Sequence, residues 1–321
     1  MRILITGGAG FIGSHLCEKY TKDGHTVLCF DNFMNGNLMN VRSLLDFRNF
    51  KLINGDIRDY NLLEKVMSDV DTVFHLAAQI HVDRSYIEPK LTYDINVMGT
   101  QNILEVARMH DAKKVIHAST SEVYGSAIHV PIDEDHPLNA PHPYGASKIA
   151  ADRMCYAYNQ TYGMNINILR FFNIFGPRQR DQGYGGVISI FTRRILNNIP
   201  PIIYGDGLQT RDYTYIKDVV RAYDLVLNYP NQLPEPINFG TGKEVSIVEL
   251  ADKICTYCGK KGKINPVHVE ARIGEVKRLI ANAEKAKEIL GWESEYNLDQ
   301  GLKEYIQWYR NFGFEERIKY G

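Results

Sequence analysis

The sequence has little cysteine and less tryptophan, five and two residues in 321. Five is an odd number. Cys17, Cys29, Cys155 and Cys255 fall in stretches that read as helix or strand interior. A disulfide-stapled secreted fold is therefore not expected, and a reduced, cytoplasmic setting is. Cys255-Thr-Tyr-Cys258 has no second pair to complete a zinc site, so both thiols read as structural and no metal is expected. An excess of charge of one sign is also missing. The formal net charge is −1, which gives no electrostatic case for nucleic acid or an anionic membrane. No apolar run approaches the ~20 residues of a membrane span. The first residues read as strand, so no signal peptide is expected. Internal repeats and low-complexity segments are absent. What remains is 44% hydrophobic and 23% charged, a chain that can bury a sizeable core in one large or two intimate domains.

Against those absences, the first thirteen residues are dense in signal. Arg2 to Thr6 reads as a short buried strand, and Gly7, Gly10 and Gly13 follow at three-residue spacing. Ser14 to Asp23 reads as a helix. A strand that turns through glycines into a helix N-terminus is an anion site, because backbone N–H groups and the helix dipole both favour negative charge. Phe11 and Ile12 belong to the same turn. A second strand, Thr26 to Phe30, ends at Asp31, close to the expected distance of about 20 residues for an acid that accepts from an adenosine ribose. A carboxylate there repels a 2′-phosphate, and Asn32 and Phe33 add no positive charge, so NAD is favoured over NADP.

Further strands are expected at Phe50 to Asn54, Asp71 to Leu76, Lys114 to Ala118, Asn165 to Arg170 and Ile237 to Phe239. Helices are expected at Tyr60 to Ser68, within Glu88 to His110, from Pro143 to about Tyr162, and at Ser246 to Cys258, Ala283 to Leu290 and Leu298 to Tyr309. Strands alternating with helices imply an α/β fold with a doubly wound parallel sheet. Ligands of such sheets collect at the C-terminal strand ends, where Asp56 with Ile57, Leu76-Ala77-Ala78 and Thr120 fall. Asp133-Glu134-Asp135 reads as a solvated surface loop.

Thr120, Tyr144 and Lys148 form an oxidoreductive set. Tyr144 and Lys148 are four apart and share a helix face. A nearby ammonium and a positive nicotinamide would both favour the phenolate, which could take a proton from a sugar hydroxyl.

Gly7-x-x-Gly10-x-x-Gly13, Asp56, Leu76-Ala77-Ala78, Asn96, Thr120, Tyr144-x-x-x-Lys148 and Arg170-Phe-Phe-Asn173 together resemble the extended short-chain dehydrogenase/reductases. More narrowly, the chain is similar to their nucleotide-sugar 4-epimerases, 4,6-dehydratases and decarboxylases. The resemblance runs from residue 1 to about 310. It implies a Rossmann domain of residues 1–173 with about 212–254, and a smaller, interleaved C-terminal substrate domain of about 174–211 with 255–321. It implies a tightly held NAD, reduced and reoxidised within one turnover, with Asn96 among the cofactor residues. It implies Ser85, Asn173, Val187, Tyr204, Arg211, Arg272 and Glu275 around a nucleotide-diphosphate sugar; the guanidinium groups suit phosphate oxygens. A homodimer through the helices of about 95–109 and 147–162 is also implied.

Ser121-Glu122 bears on which reaction. Dehydratases of this group keep a glutamate where Glu122 stands, UDP-glucuronate decarboxylases also carry Thr-Ser-Glu, and 4-epimerases generally have a neutral residue. Once C4 is a ketone, a carboxylate can remove the acidified C5 proton and assist loss of the 6-hydroxyl. The expected activity is therefore a nucleotide-sugar 4,6-dehydratase acting on an NDP-hexose, with UDP-N-acetylglucosamine or UDP-glucose favoured. Against this, Ser121 replaces the usual aspartate. The stretch Tyr204 to Asp212 and the tail Arg272 to Arg278 look more like 4-epimerases, so a UDP-hexose 4-epimerase is the alternative. UDP-glucuronate decarboxylase and a catalytically silent sensor also remain.

Overall fold

The computed structural model describes residues 1–181, 185–271 and 276–312. Seven strands make the main sheet: β1 (Arg2–Thr6), β2 (Thr26–Asp31), β3 (Phe50–Asn54), β4 (Thr72–His75), β5 (Lys114–Thr120), β6 (Ile166–Phe171) and β7 (Ile237–Phe239). Their order is β7-β6-β5-β4-β1-β2-β3, and β1 pairs in parallel with both β2 and β4. Strand order reverses at β1, so a crevice opens at the C-terminal ends of β1 and β4. The strands are apolar almost throughout because helices cover both faces; Ile3, Leu4 and Ile5 are fully buried.

Side chains alternate between the two faces, as the period of a strand requires. Val73 joins a core with Leu4, Leu63, Ile103, Val115 and Ile168. Its neighbour Phe74 instead stacks on Tyr20, ring centroids 5.1 Å apart, and meets Tyr223 edge-on at 5.9 Å. Lys114, at the start of β5, is buried and donates to the carbonyls of Val226, Leu227 and Tyr229 at 2.6–3.0 Å. It thereby satisfies carbonyls at and just beyond the end of the helix Ile216–Asn228, where a cation is favoured.

The chain divides into two compact units. The first holds residues 1–125, 137–170 and 220–237; the second holds 126–136, 171–219 and 238 onward. In the second, the strands Glu244–Ser246 and Arg278–Leu279 flank Thr210–Asp212. The helices Val187–Leu196, Ile247–Tyr257 and Leu298–Phe312 accompany them. The fully buried Asp212 carboxylate knots this unit: it accepts from the Thr241 amide and hydroxyl and from the amides of Gly242 and Ala281.

Two expectations change. Glu134 is not solvated: its carboxylate is 2% exposed, accepts from Asn238 N at 2.8 Å and faces Lys285. The helix expected within 88–110 is a helical run in three parts. Pro89–Tyr93 and Thr100–Met109 are α, and Asp94–Gly99 between them is a π turn. No helix among the described residues is long and apolar enough to cross a membrane.

Candidate active site

Gly7 follows β1 with φ +68°, and a Cβ on Gly13 would stand 2.2 Å from the Gly7 carbonyl oxygen. The turn therefore closes only with glycine at these positions. It delivers the chain into the helix Phe11–Lys22, whose N-cap, Gly10, offers no side chain to the first-turn amides. Phe11 and Ile12 are half-buried in that turn. Uncapped N–H groups at a helix start suit a pyrophosphate.

Asp31 is buried. Its two oxygens accept from Ala9 N at 2.9 Å and Phe33 N at 2.8 Å. Burial raises its pKa, and these backbone bonds oppose the rise. Gly10 N is a third backbone donor to it, and a carboxylate has about four acceptor positions, so a ribose hydroxyl remains an acceptable partner. Asp56 is tied by Arg58 at 2.7–2.9 Å and by Asn32 Nδ2 at 2.8 Å. The Arg58 hydrogen bond chiefly pulls its pKa down to about 2. Ile57 is buried beside it.

Leu76 and Ala77 donate their amides to Thr6 Oγ1, each at 3.2 Å. That leaves the Thr6 hydroxyl proton for His75 Nδ1, at 2.9 Å. His75 Nε2–H then faces Thr100 Oγ1 at 2.9 Å, and Thr100 donates to the Asn96 carbonyl at 2.7 Å. Burial lowers the His75 pKa to about 3, so this ring is neutral. Asn96 spans three segments: its Oδ1 accepts from Gln79 N at 2.7 Å, and its Nδ2 donates to Gln79 O and Ser147 Oγ at 2.9 Å. Its side chain thus pins the segment just past Ala78 to the helix that carries Tyr144 and Lys148. It does so from within the π turn, a distortion frequent at functional sites.

The helix Pro143–Tyr162 begins with His142 as N-cap and Pro143 at its first position, and ends at Gly163 with φ +65°. Tyr144 and Lys148 project from its first turns, both buried. The Tyr144 hydroxyl bonds the Thr120 side chain at the end of β5. Burial raises the phenol pKa; Thr120 opposes the rise, and Glu122 and Asp152 add to it. Lys148 Nζ donates to Ala118 O at 2.5 Å and lies 3.3 Å from His117 Nε2. Burial lowers its pKa, opposed by Asp152. The expected lowering of Tyr144 by Lys148 is therefore not found in the chain itself, because the ammonium is turned to Ala118 and His117. Any further lowering must come from a bound positive group.

Behind Lys148 lies a cluster that sequence reasoning missed. Asp152 Oδ2 accepts from Arg170 Nε at 3.0 Å and Ser119 Oγ at 2.9 Å, and Arg170 also reaches Tyr124 OH at 2.9 Å. His75 and His117 are register partners on β4 and β5. A histidine inside an otherwise apolar strand was the available signal.

Ser121 is buried and opens a 3₁₀ turn whose next residue is Glu122. The Glu122 side chain is 24% exposed, and its Oε2 lies 3.2 Å from His142 Nε2. Ser85 is fully buried, with its hydroxyl donating to Val82 O at 2.6 Å.

In the second unit, Asn173 Nδ2 donates to Asp212 O at 3.0 Å, which sets it beside Arg211. Arg211 is half-buried and donates to Thr210 O. Val187 opens its helix behind Gly186, and Tyr204 ends the strand Ile202–Tyr204 with 36% exposure. Arg272 and Glu275 lie outside the described residues.

Comparison with known proteins adds three kinds of similarity. A family model described as GDP-mannose 4,6 dehydratase matches residues 4–305. A putative UDP-glucose 4-epimerase of Methanocaldococcus jannaschii is 43% identical, over 96% of this chain and 98% of that protein. Two solved structures superpose along nearly the whole chain. A UDP-glucose 4-epimerase with UDP-glucose from Thermotoga maritima has TM-score 0.92 and 36% identity, covering 97% of this chain and 99% of the other. A dTDP-glucose 4,6-dehydratase from Streptomyces venezuelae with NAD bound has TM-score 0.92 and 32% identity, covering 98% of each chain.

Proposed function

Because the chain belongs to the nucleotide-sugar dehydratase and epimerase group of the extended short-chain dehydrogenase/reductases, we propose that it is an NAD-dependent 4,6-dehydratase of a UDP-linked hexose. The observation that carries this reading is the Glu122 carboxylate, partly exposed and two residues past Thr120. An epimerase has no chemical use for a carboxylate there; a dehydratase needs one.

The residues present fit NAD. Gly7, Gly10, Phe11, Ile12 and Gly13 would hold the pyrophosphate, Asp31 and Asn32 the ribose, and Asp56 and Ile57 the adenine edge. Bound there, NAD would accept and return a hydride and bring the positive ring charge that Tyr144 lacks in the chain alone.

Tyr144, bonded to Thr120, takes the proton of the sugar 4-hydroxyl as C4 becomes a ketone. Lys148, donating to the Ala118 carbonyl, ties the helix that carries Tyr144 to β5 beside Thr120. The ketone acidifies C5. Glu122 takes the C5 proton, and the C5 electron pair expels the 6-hydroxyl. Glu122 then gives its proton to the departing oxygen, so that water leaves. When C6 has been reduced, C5 receives its new proton from Glu122, recharged from solvent. Asn173, Val187, Tyr204 and Arg211 would hold the nucleotide and sugar, with guanidinium against phosphate. The five free, buried cysteines suit a reducing cytoplasm.

A second reading, UDP-hexose 4-epimerase, is favoured by Ser121: it is buried and brings no acid to pair with Glu122. Turnover in deuterated water separates the two readings. The dehydratase carries one solvent deuterium to C5 of a 4-keto-6-deoxy product. Epimerisation without deuterium at C5 contradicts the proposal.

A further inference from the structure

Glu122 does not stand alone. His142 Nδ1 accepts the Gly145 amide at 3.0 Å, as the cap of the helix that carries Tyr144. A nitrogen that accepts an N–H carries no proton of its own, so the pattern assigns the ring proton to Nε2. That Nε2–H meets Glu122 Oε2 at 3.2 Å. The imidazole side chain is 4% exposed, lies offset-stacked on Tyr144 with planes 10° apart, and has Tyr86 edge-on at 6.4 Å. The approach is close on the Gly145 side. A Cβ on Gly145 would come within 2.9 Å of the Glu122 carbonyl oxygen and 3.1 Å of His142 Cε1.

Capping alone does not call for histidine. Serine, threonine, asparagine and aspartate are the preferred caps, and any of them would accept the Gly145 amide. What the imidazole adds is reach: a second, oppositely directed hydrogen bond from the same rigid ring to Glu122. From this geometry we infer that His142 is the positioning residue for Glu122. It holds Oε2 and leaves Oε1 for the C5 proton. This inference rests on the dehydratase reading. Its consequence is selective. Losing the Nε2 contact frees the carboxylate to rotate and weakens the elimination step, while oxidation at C4, carried by Thr120, Tyr144 and Lys148, stays intact.

His142→Ser tests this, because serine keeps the cap and removes the contact. The parent and the variant are incubated with UDP-N-acetylglucosamine, UDP-glucose or dTDP-glucose in deuterated water. Reduced nicotinamide absorbance in a single turnover reads C4 oxidation. Deuterium at C5 and loss of water read elimination. We expect oxidation within about 3-fold of the parent and elimination about 10- to 100-fold slower, the range for a lost hydrogen bond to a charged group. Equal losses in both steps would assign His142 to helix capping alone and overturn the inference. Parental rates in both steps would overturn it as well. A parent that epimerises at C4 without touching C5 sinks the dehydratase reading itself, and this inference with it. The parent's own rates therefore separate that failure from the failure of His142 alone.

Discussion

Glu122 influences two protons. Its own task is at C5, yet its negative charge also raises the Tyr144 phenol. Glu122→Gln should therefore separate the steps. Water loss falls roughly 10²–10⁴-fold, the usual worth of a positioned acid–base group. C4 oxidation survives, and its pH profile moves to lower pH because the phenolate no longer faces that charge. An unchanged oxidation profile in single-turnover absorbance would contradict the coupling. The buried histidines give a second prediction at this scale. Burial holds both His75 and His117 below the ordinary 6.5, His75 at about 3. The unfolded chain thus binds more protons than the native one as pH falls. Their contribution to stability is whole above about pH 6.5 and is lost as pH drops toward about 3. Each ring adds at most about 1.4 kcal/mol per pH unit to that slope. Urea unfolding of His75→Gln between those limits should show a shallower loss than the parent; equal slopes would contradict the assignment.

Among the elements, the strand–turn–helix of residues 2–22 was legible because its constraint is local. A glycine turn, an uncapped helix start and an acid at the end of β2 are all written in consecutive stretches. The seven strands of the main sheet were equally legible from their apolar runs, to within a residue or two at their ends, whereas the short strands of the second unit, such as Thr210–Asp212 and Glu244–Ser246, were not. The π turn was not: the Asn96 it presents bonds to Gln79 and Ser147, partners 17 and 51 residues away. His142, Asp152 and the pairing of Asp152 with Arg170 were missed for the same reason: each acquires meaning only from a residue brought near by folding. Asp152 sits one turn beyond Lys148, and Asp152→Asn would leave Arg170 buried without its charge partner. A loss of about 3–5 kcal/mol is expected, measured by denaturant unfolding; less than 1 kcal/mol, roughly a surface pair's worth, would mean water reaches the pair. Lys114→Met removes one buried donor from three carbonyls. It should cost about 2–3 kcal/mol and leave nucleotide-sugar binding unaltered.

At the scale of the molecule, the surface helices leave apolar side chains in water. Met98 is 50% exposed, Tyr156 46% and Tyr162 53%, along the helical segments 94–109 and 143–162. These fit the homodimer that the family resemblance implies. Sedimentation should give a dimer, and Met98→Glu with Tyr156→Glu should shift it toward monomer; a monomeric parent would contradict this. The central claim, that Glu122 turns a shared oxidative site toward water loss, is tested most directly by mass. Purified protein is incubated separately with UDP-N-acetylglucosamine, UDP-glucose, dTDP-glucose and GDP-mannose, and each product is weighed by mass spectrometry. Loss of one water from a UDP-linked sugar is the predicted result. Unchanged mass in all four, with a new C4 epimer in the proton spectrum, would contradict it.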